Sequence, residues 1–128
     1  MFLDTTIIIE ILEGRRASIK IDKILKHIKD EPLFISMIQL AELSDWCENN
    51  KIDAFKRITQ IKEIVNVIPL NDRLCMDGAE IKHEMRKCGI DKFSLIDGII
   101  LASARSINQK LLTADTDYRR AKDVIFIE

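Results

Sequence analysis

Residues 93–127, FSLIDGIILASARSINQKLLTADTDYRRAKDVIFI, decide the fold class. They read as a helix from Ser94 to Asn108, a strand from Lys110 to Thr113, the polar turn TADTDYRR, and a last strand from Val124 to Ile127. These strands are short and apolar on both sides instead of alternating, which is how a strand reads when helices cover both its faces. The amino-terminal end has the same character. Met1 to Asp4 predicts a strand that runs straight into a helix at Thr6 to Leu12, with Asp4 or Thr5 placed to cap it and Gly14 to end it. A second helix is expected at Ala17 to Lys29, with Ile21, Ile24, Leu25 and Ile28 on one face and Lys20, Lys23 and Lys26 on another, and Pro32 closes it. Next come a strand at Leu33 to Met37, helices at Gln39 to Asn49 and Asp53 to Ile64, a strand at Val65 to Leu70, and a helix from Asn71 or Asp72 to Lys87 ended by Cys88-Gly89. Strands separated by helices predict an α/β protein, a three-layer α/β/α sandwich around a mostly parallel, short-stranded sheet.

Composition narrows the class further. The 128 residues, 47% hydrophobic and 32% charged with net charge -1, suffice for one domain with a real core and contain no linker or repeat. Near-neutrality argues against a protein that coats nucleic acid by overall positive charge, but leaves room for a locally basic groove. Cys47, Cys75 and Cys88 are odd in number and lack metal-ligand spacing to His27 or His83, so neither a disulfide framework nor a zinc site is suggested and a reducing cytoplasm fits best. The first residues lack the basic start of a signal peptide and carry Asp4 and Glu10 inside their apolar run. No stretch approaches the ~20 apolar residues that would span a membrane.

Ligands of parallel sheets collect at the carboxyl ends of the strands, near the point where strand order reverses. Four acids stand at or beside such positions. Asp4 ends the first strand, Glu42 lies early in the helix after the second, Asp97 lies in the first turn of an apolar helix, and Asp115 follows the strand ending at Thr113. Taken singly, each has a structural explanation: a helix cap, a solvated helix position, a first-turn acid facing the helix dipole, a turn residue. Taken together they converge on one sheet edge, where like charges cannot all stay ionised without a compensating cation. All-oxygen ligation favours Mg²⁺ or Mn²⁺ over zinc, and such a cage is suited to hydrolysing phosphodiesters.

The segments FLDTTIIIEIL, FISMIQLAEL, FSLIDGIILASARS and KLLTADTDYRR, in this order and spacing, resemble the PIN-domain ribonucleases, in particular the VapC-type toxins of prokaryotic toxin-antitoxin pairs. The resemblance covers essentially the whole chain as a single PIN-like nuclease domain. It implies that Asp4, Glu42, Asp97 and Asp115 are the catalytic, metal-binding acids and that Thr113 is a supporting hydroxyl. Thr6 stands where the family often has Ser or Asn, so the polar function is kept. Asp117 corresponds to an additional acid, or only caps the turn that follows. The family further implies RNA as substrate, Mg²⁺ or Mn²⁺ as cofactor, a homodimer, and a small VapB-like antitoxin that occupies the site. A PIN-like RNA-binding or protein-interaction module without turnover, and a housekeeping RNA-processing nuclease, are the alternatives.

Arg119, Arg120, Arg15 and Arg16 are the candidate RNA-phosphate contacts, and the row Lys20, Lys23, Lys26 is either a further one or an ordinary solvated face. Trp46, one turn after Glu42, is expected in the core or as an interface anchor joined by Leu43, Phe55 and Ile58. Met37, Met76 and Met85 read as core filler. A phosphoacceptor receiver domain would need a mid-chain strand-end Asp and a later strand-end Lys, whereas Asp53 lies in the polar turn NNKIDAF.

Overall fold

Helices on both sides of the sheet let very short strands persist. The computed structural model describes residues 1–14 and 19–128. Strands β1 (Phe2–Leu3), β2 (Phe34–Ser36), β3 (Asn66–Ile68), β4 (Leu111–Thr113) and β5 (Val124–Phe126) form one sheet in the order β3-β2-β1-β4-β5. All four pairings are parallel. The helices are α1 (Thr5–Glu13), α2 (Ile19–Ile28), α3 (Met37–Asn49), α4 (Ala54–Ile64), α5 (Asp72–Lys87) and α6 (Leu95–Ser106), with a short 3₁₀ helix at Thr116–Tyr118. The expected α/β/α sandwich is the observed architecture.

Alternate residues of each strand point to opposite faces, and the core divides accordingly. Leu3, Ile35 and Leu112 pack with Ile7, Ile8, Ile24, Leu43 and Ile61 on one side. On the other, Phe2 and Leu111 pack with Leu74, Ile81, Ile100 and Leu101. Local signals set the helix limits. Asp53 accepts from the Lys56 amide at 3.1 Å to start α4, Asn71 accepts from Leu74 at 2.9 Å to start α5, and Gly14 ends α1 in the left-handed conformation at φ 58.

Helices α5 and α6 touch backbone to backbone. A Cβ on Gly98 would sit 2.1 Å from the Gly78 carbonyl oxygen, and one on Gly78 would sit 2.8 Å from the Ile99 nitrogen. Only a pair of glycines allows this crossing, and it fixes the residue before Gly98, which is Asp97.

Three expectations about the core need correction. Leu25, Met37 and Met76 are exposed, at 52%, 46% and 63%. Leu25 stands one residue round from the buried Ile24, at the margin of the stripe, and Met37 is the first residue of α3. Met76 lies two residues past the buried Leu74, on the opposite side of α5. Met85 does pack against the core.

Candidate active site

The strand order reverses between β1 and β4, and the chain leaves both strands at their carboxyl ends through polar residues. This is the crevice where parallel α/β sheets bind ligands. Asp4 lies immediately after β1 and is nearly fully buried. Its backbone begins α1, but its side chain makes no capping bond there. Instead Oδ2 accepts from the Thr113 hydroxyl at 2.7 Å and from the Thr6 hydroxyl at 2.8 Å. Thr6 also accepts from the Ala114 amide at 3.2 Å, so it ties the start of α1 to the end of β4.

The other carboxylates come from three separate elements. Asp97 and Ser94 cap α6 reciprocally: the Ser94 amide donates to Asp97 Oδ2 at 2.9 Å, and the Asp97 amide donates to the Ser94 hydroxyl at 3.0 Å. The buried Tyr118 hydroxyl donates to the Asp97 carbonyl at 3.0 Å and lies 3.3 Å from Asp97 Oδ1. Asp115 accepts from the Asp117 amide at 2.9 Å, which turns the chain and brings both side chains to one place. Asp97, Asp115 and Asp117 each offer a carboxylate oxygen within 4.8 Å of the others. Glu42 accepts from the Thr5 hydroxyl at 2.7 Å.

The acids act on one another electrostatically. Burial raises the Asp4 carboxyl from an ordinary 3.8 to about 6, against the pull of its two threonines, and Asp115 adds to the rise. Burial also raises Glu42, which feels the charges of Asp4, Asp97 and Asp115. Asp97 is raised by burial and by Asp115, and Asp117 is raised in the same way while Lys92 opposes it. The Tyr118 hydroxyl is pushed well above its usual value, first by burial and then by Asp4, Asp97 and Asp115, so it stays a proton donor. Among the described residues, none of these five acids is in an ion pair. Such an all-oxygen group short of positive charge suits a hard divalent cation.

Three contributors escaped the sequence reading. Gln39 is fully buried; its Nε2 donates to the Leu3 carbonyl at 2.8 Å and to the Thr5 hydroxyl at 3.2 Å, and its Oε1 accepts from Ser36 at 2.8 Å. Ser36-x-x-Gln39 is a capping box that the sequence displays. Thr5 orients Glu42, and Tyr118 orients Asp97. Tyr118 is itself fixed by the Phe93 ring, edge-on with centroids 5.3 Å apart.

The expected basic residues divide. Arg119 pairs with Glu128 at 2.7 Å and lies over the Phe126 ring at 5.4 Å, Arg120 is exposed, and Arg15 and Arg16 lie outside the described residues. Trp46 is half-buried and lines a cavity of about 480 Å³ with Thr5, Ile9, Glu42 and Ile96. The surface group expected around it does not form as one patch, because Leu43 is fully buried in the core while Phe55 is 85% exposed.

Fold and site together define a doubly wound parallel α/β protein with an acidic crevice at its switch point. The chain belongs to the PIN domain family, whose model matches residues 1–124. A search of the curated proteins finds no match. Among solved structures, the chain is similar to VapBC-1 from nontypeable Haemophilus influenzae, with a TM-score of 0.73 and 25% identity over 99% of this chain and 96% of that one. A toxin-antitoxin complex from Klebsiella pneumoniae has a TM-score of 0.74 and 21% identity, covering 97% of this chain and 94% of that one. VapBC2 from Rickettsia felis, bound to a promoter DNA fragment, has a TM-score of 0.74 and 19% identity, covering 98% and 96%.

Proposed function

We propose that this protein is a metal-dependent endoribonuclease, the VapC-type toxin of a toxin-antitoxin pair that works in the cytoplasm. The observation that carries the reading is the group of five acids about the switch point, none of which is in an ion pair among the described residues. Asp97, Asp115 and Asp117 would hold the ion, with Asp4 through Oδ1, the oxygen that takes neither threonine hydroxyl, and Glu42 completing the set. When bound, Mg²⁺ or Mn²⁺ would polarise the phosphoryl oxygens, lower the pKa of the attacking water and stabilise the leaving oxyanion. The chain's own groups arrange this. Thr6 and Thr113 hold Asp4 and Thr5 holds Glu42, so these hydroxyls are committed to orienting carboxylates and none serves as nucleophile. Tyr118 and Ser94 fix the Asp97 side chain from two directions.

The similar structures are described as toxin-antitoxin and VapBC complexes, which supports a small antitoxin as partner. A homodimer is part of the same proposal. Among the described residues no helix is long and apolar enough to cross a membrane. The test is incubation of the purified chain with single-stranded and structured RNA in Mn²⁺, in EDTA, and as Asp97→Asn. Cleavage is expected in Mn²⁺ alone, with the variant slower by at least roughly a hundredfold. Undiminished cleavage in EDTA or by the variant would overturn the proposal. RNA binding without any cleavage would move the chain to the non-cutting alternative.

A further inference from the structure

A second cavity, between α2 and the end of β5, has the charge that the acid cluster lacks. It is an open surface pocket of about 390 Å³, lined by Lys23, Lys26, His27, Phe126, Ile127 and Glu128. The lysine row of α2 is split by its partners. Lys20 pairs with Glu10 at 3.5 Å, whereas among the described residues neither Lys23 nor Lys26 is in an ion pair. Among the described residues, Glu128 supplies the one carboxylate side chain of the lining, and Arg119 holds it at 2.7 Å. The lining thus presents two ammonium groups that are in no ion pair among the described residues, with an imidazole, beside Phe126 and Ile127. Lysine meets phosphate as a point charge with three donors, so this lining suits a phosphodiester.

Two links run from the cavity lining toward the acids. The Ile127 amide donates to the Thr113 carbonyl at 2.8 Å, and the Thr113 hydroxyl holds Asp4. Arg119 stands two residues after Asp117, and its guanidinium lies over Phe126 in the cavity wall. A polyanionic strand approaching an acidic crevice is repelled unless positive groups hold its neighbouring phosphates, and a chain of net charge -1 must concentrate them locally. We infer that this cavity is a phosphate subsite for the RNA strand, in which Lys23 and Lys26 hold a backbone phosphate outside the scissile bond. The inference rests on the nuclease reading. Because the contacts are to backbone, the subsite is indifferent to base sequence.

The experiment measures affinity for a short labelled single-stranded RNA by fluorescence anisotropy across a range of KCl, with Ca²⁺ replacing Mg²⁺. It compares the parent chain with Lys23→Ala/Lys26→Ala and with Lys62→Ala/Lys87→Ala, whose lysines are exposed on α4 and α5. Removing two phosphate contacts from a single strand should flatten the slope of log K against log salt by about 1.4, a loss of roughly 25-fold at about 0.1 M salt relative to 1 M. The control pair should keep the parent slope, and all three chains should share one melting temperature. A parent that cuts RNA while Lys23→Ala/Lys26→Ala keeps its slope overturns the subsite alone. A parent that neither binds nor cuts RNA overturns the subsite together with the nuclease reading.

Discussion

Asp4 is a carboxylate that folding places where ionising it is costly. Its folded carboxyl titrates near 6 and its unfolded one near the ordinary 3.8, so between those values the folded chain binds more protons than the unfolded one. Stability therefore falls as pH rises through this window and levels off above it, a loss on the order of 3 kcal/mol. Burial moves Glu42, Asp97 and Asp117 in the same direction. Thermal melts in EDTA should accordingly give a higher melting temperature at pH 5 than at pH 7.5, and Asp4→Asn should flatten that difference; a parent chain equally stable at both would show that the acids are not so crowded. Asp4, Asp97 and Asp115 stand where a strand ends or a helix begins, positions that apolar periodicity locates, whereas Glu42 lies in the second turn of α3. Their keepers were harder to see. Thr5 beside Thr6 and Tyr118 after Asp117 look like ordinary polar and core residues, and their roles follow from side-chain directions that only the packed chain fixes.

Element order and type follow from the sequence because each signal is local: apolar runs for strands, the 3.6-residue stripe for helices, Asp53 and Asn71 as caps, Gly14 as a stop. Which strand neighbours which is not local, and the central place of β1 emerges only from covering both faces at once. The crossing of α5 and α6 is of this second kind. Gly98, the fourth residue of α6, reads as a weak spot that Ala should strengthen by about 1 kcal/mol. In the structure its missing side chain is what lets α6 approach the Gly78 carbonyl, with 2.1 Å available to a Cβ. Gly98→Ala is thus expected to destabilise the fold by about 2–3 kcal/mol, lowering the melting temperature by roughly 5–10 °C in a thermal melt and slowing RNA cleavage as Asp97 shifts. A stabilised Gly98→Ala would show that the helices do not cross at this distance.

Over the whole molecule, the net charge of -1 conceals a separation. Five acids, none in an ion pair among the described residues, lie about one crevice, and Lys23, Lys26 and His27 line a pocket beside β5. A sum over residues cannot show this, which is why near-neutrality argues only against coating nucleic acid by overall positive charge. On the proposed reading, a cation that binds only the folded state stabilises it by ~2.7 kcal/mol at a hundredfold excess over Kd. Binding should also displace the proton that Asp4 partly retains near pH 6. Calorimetric titration of Mn²⁺ into the EDTA-stripped protein at that pH, in two buffers of different ionisation enthalpy, measures both quantities at once. The expected result is saturable binding with net proton release, lost in Asp97→Asn and in Asp115→Asn; no saturable binding, or binding undiminished in both variants, would contradict a cation site built from these acids.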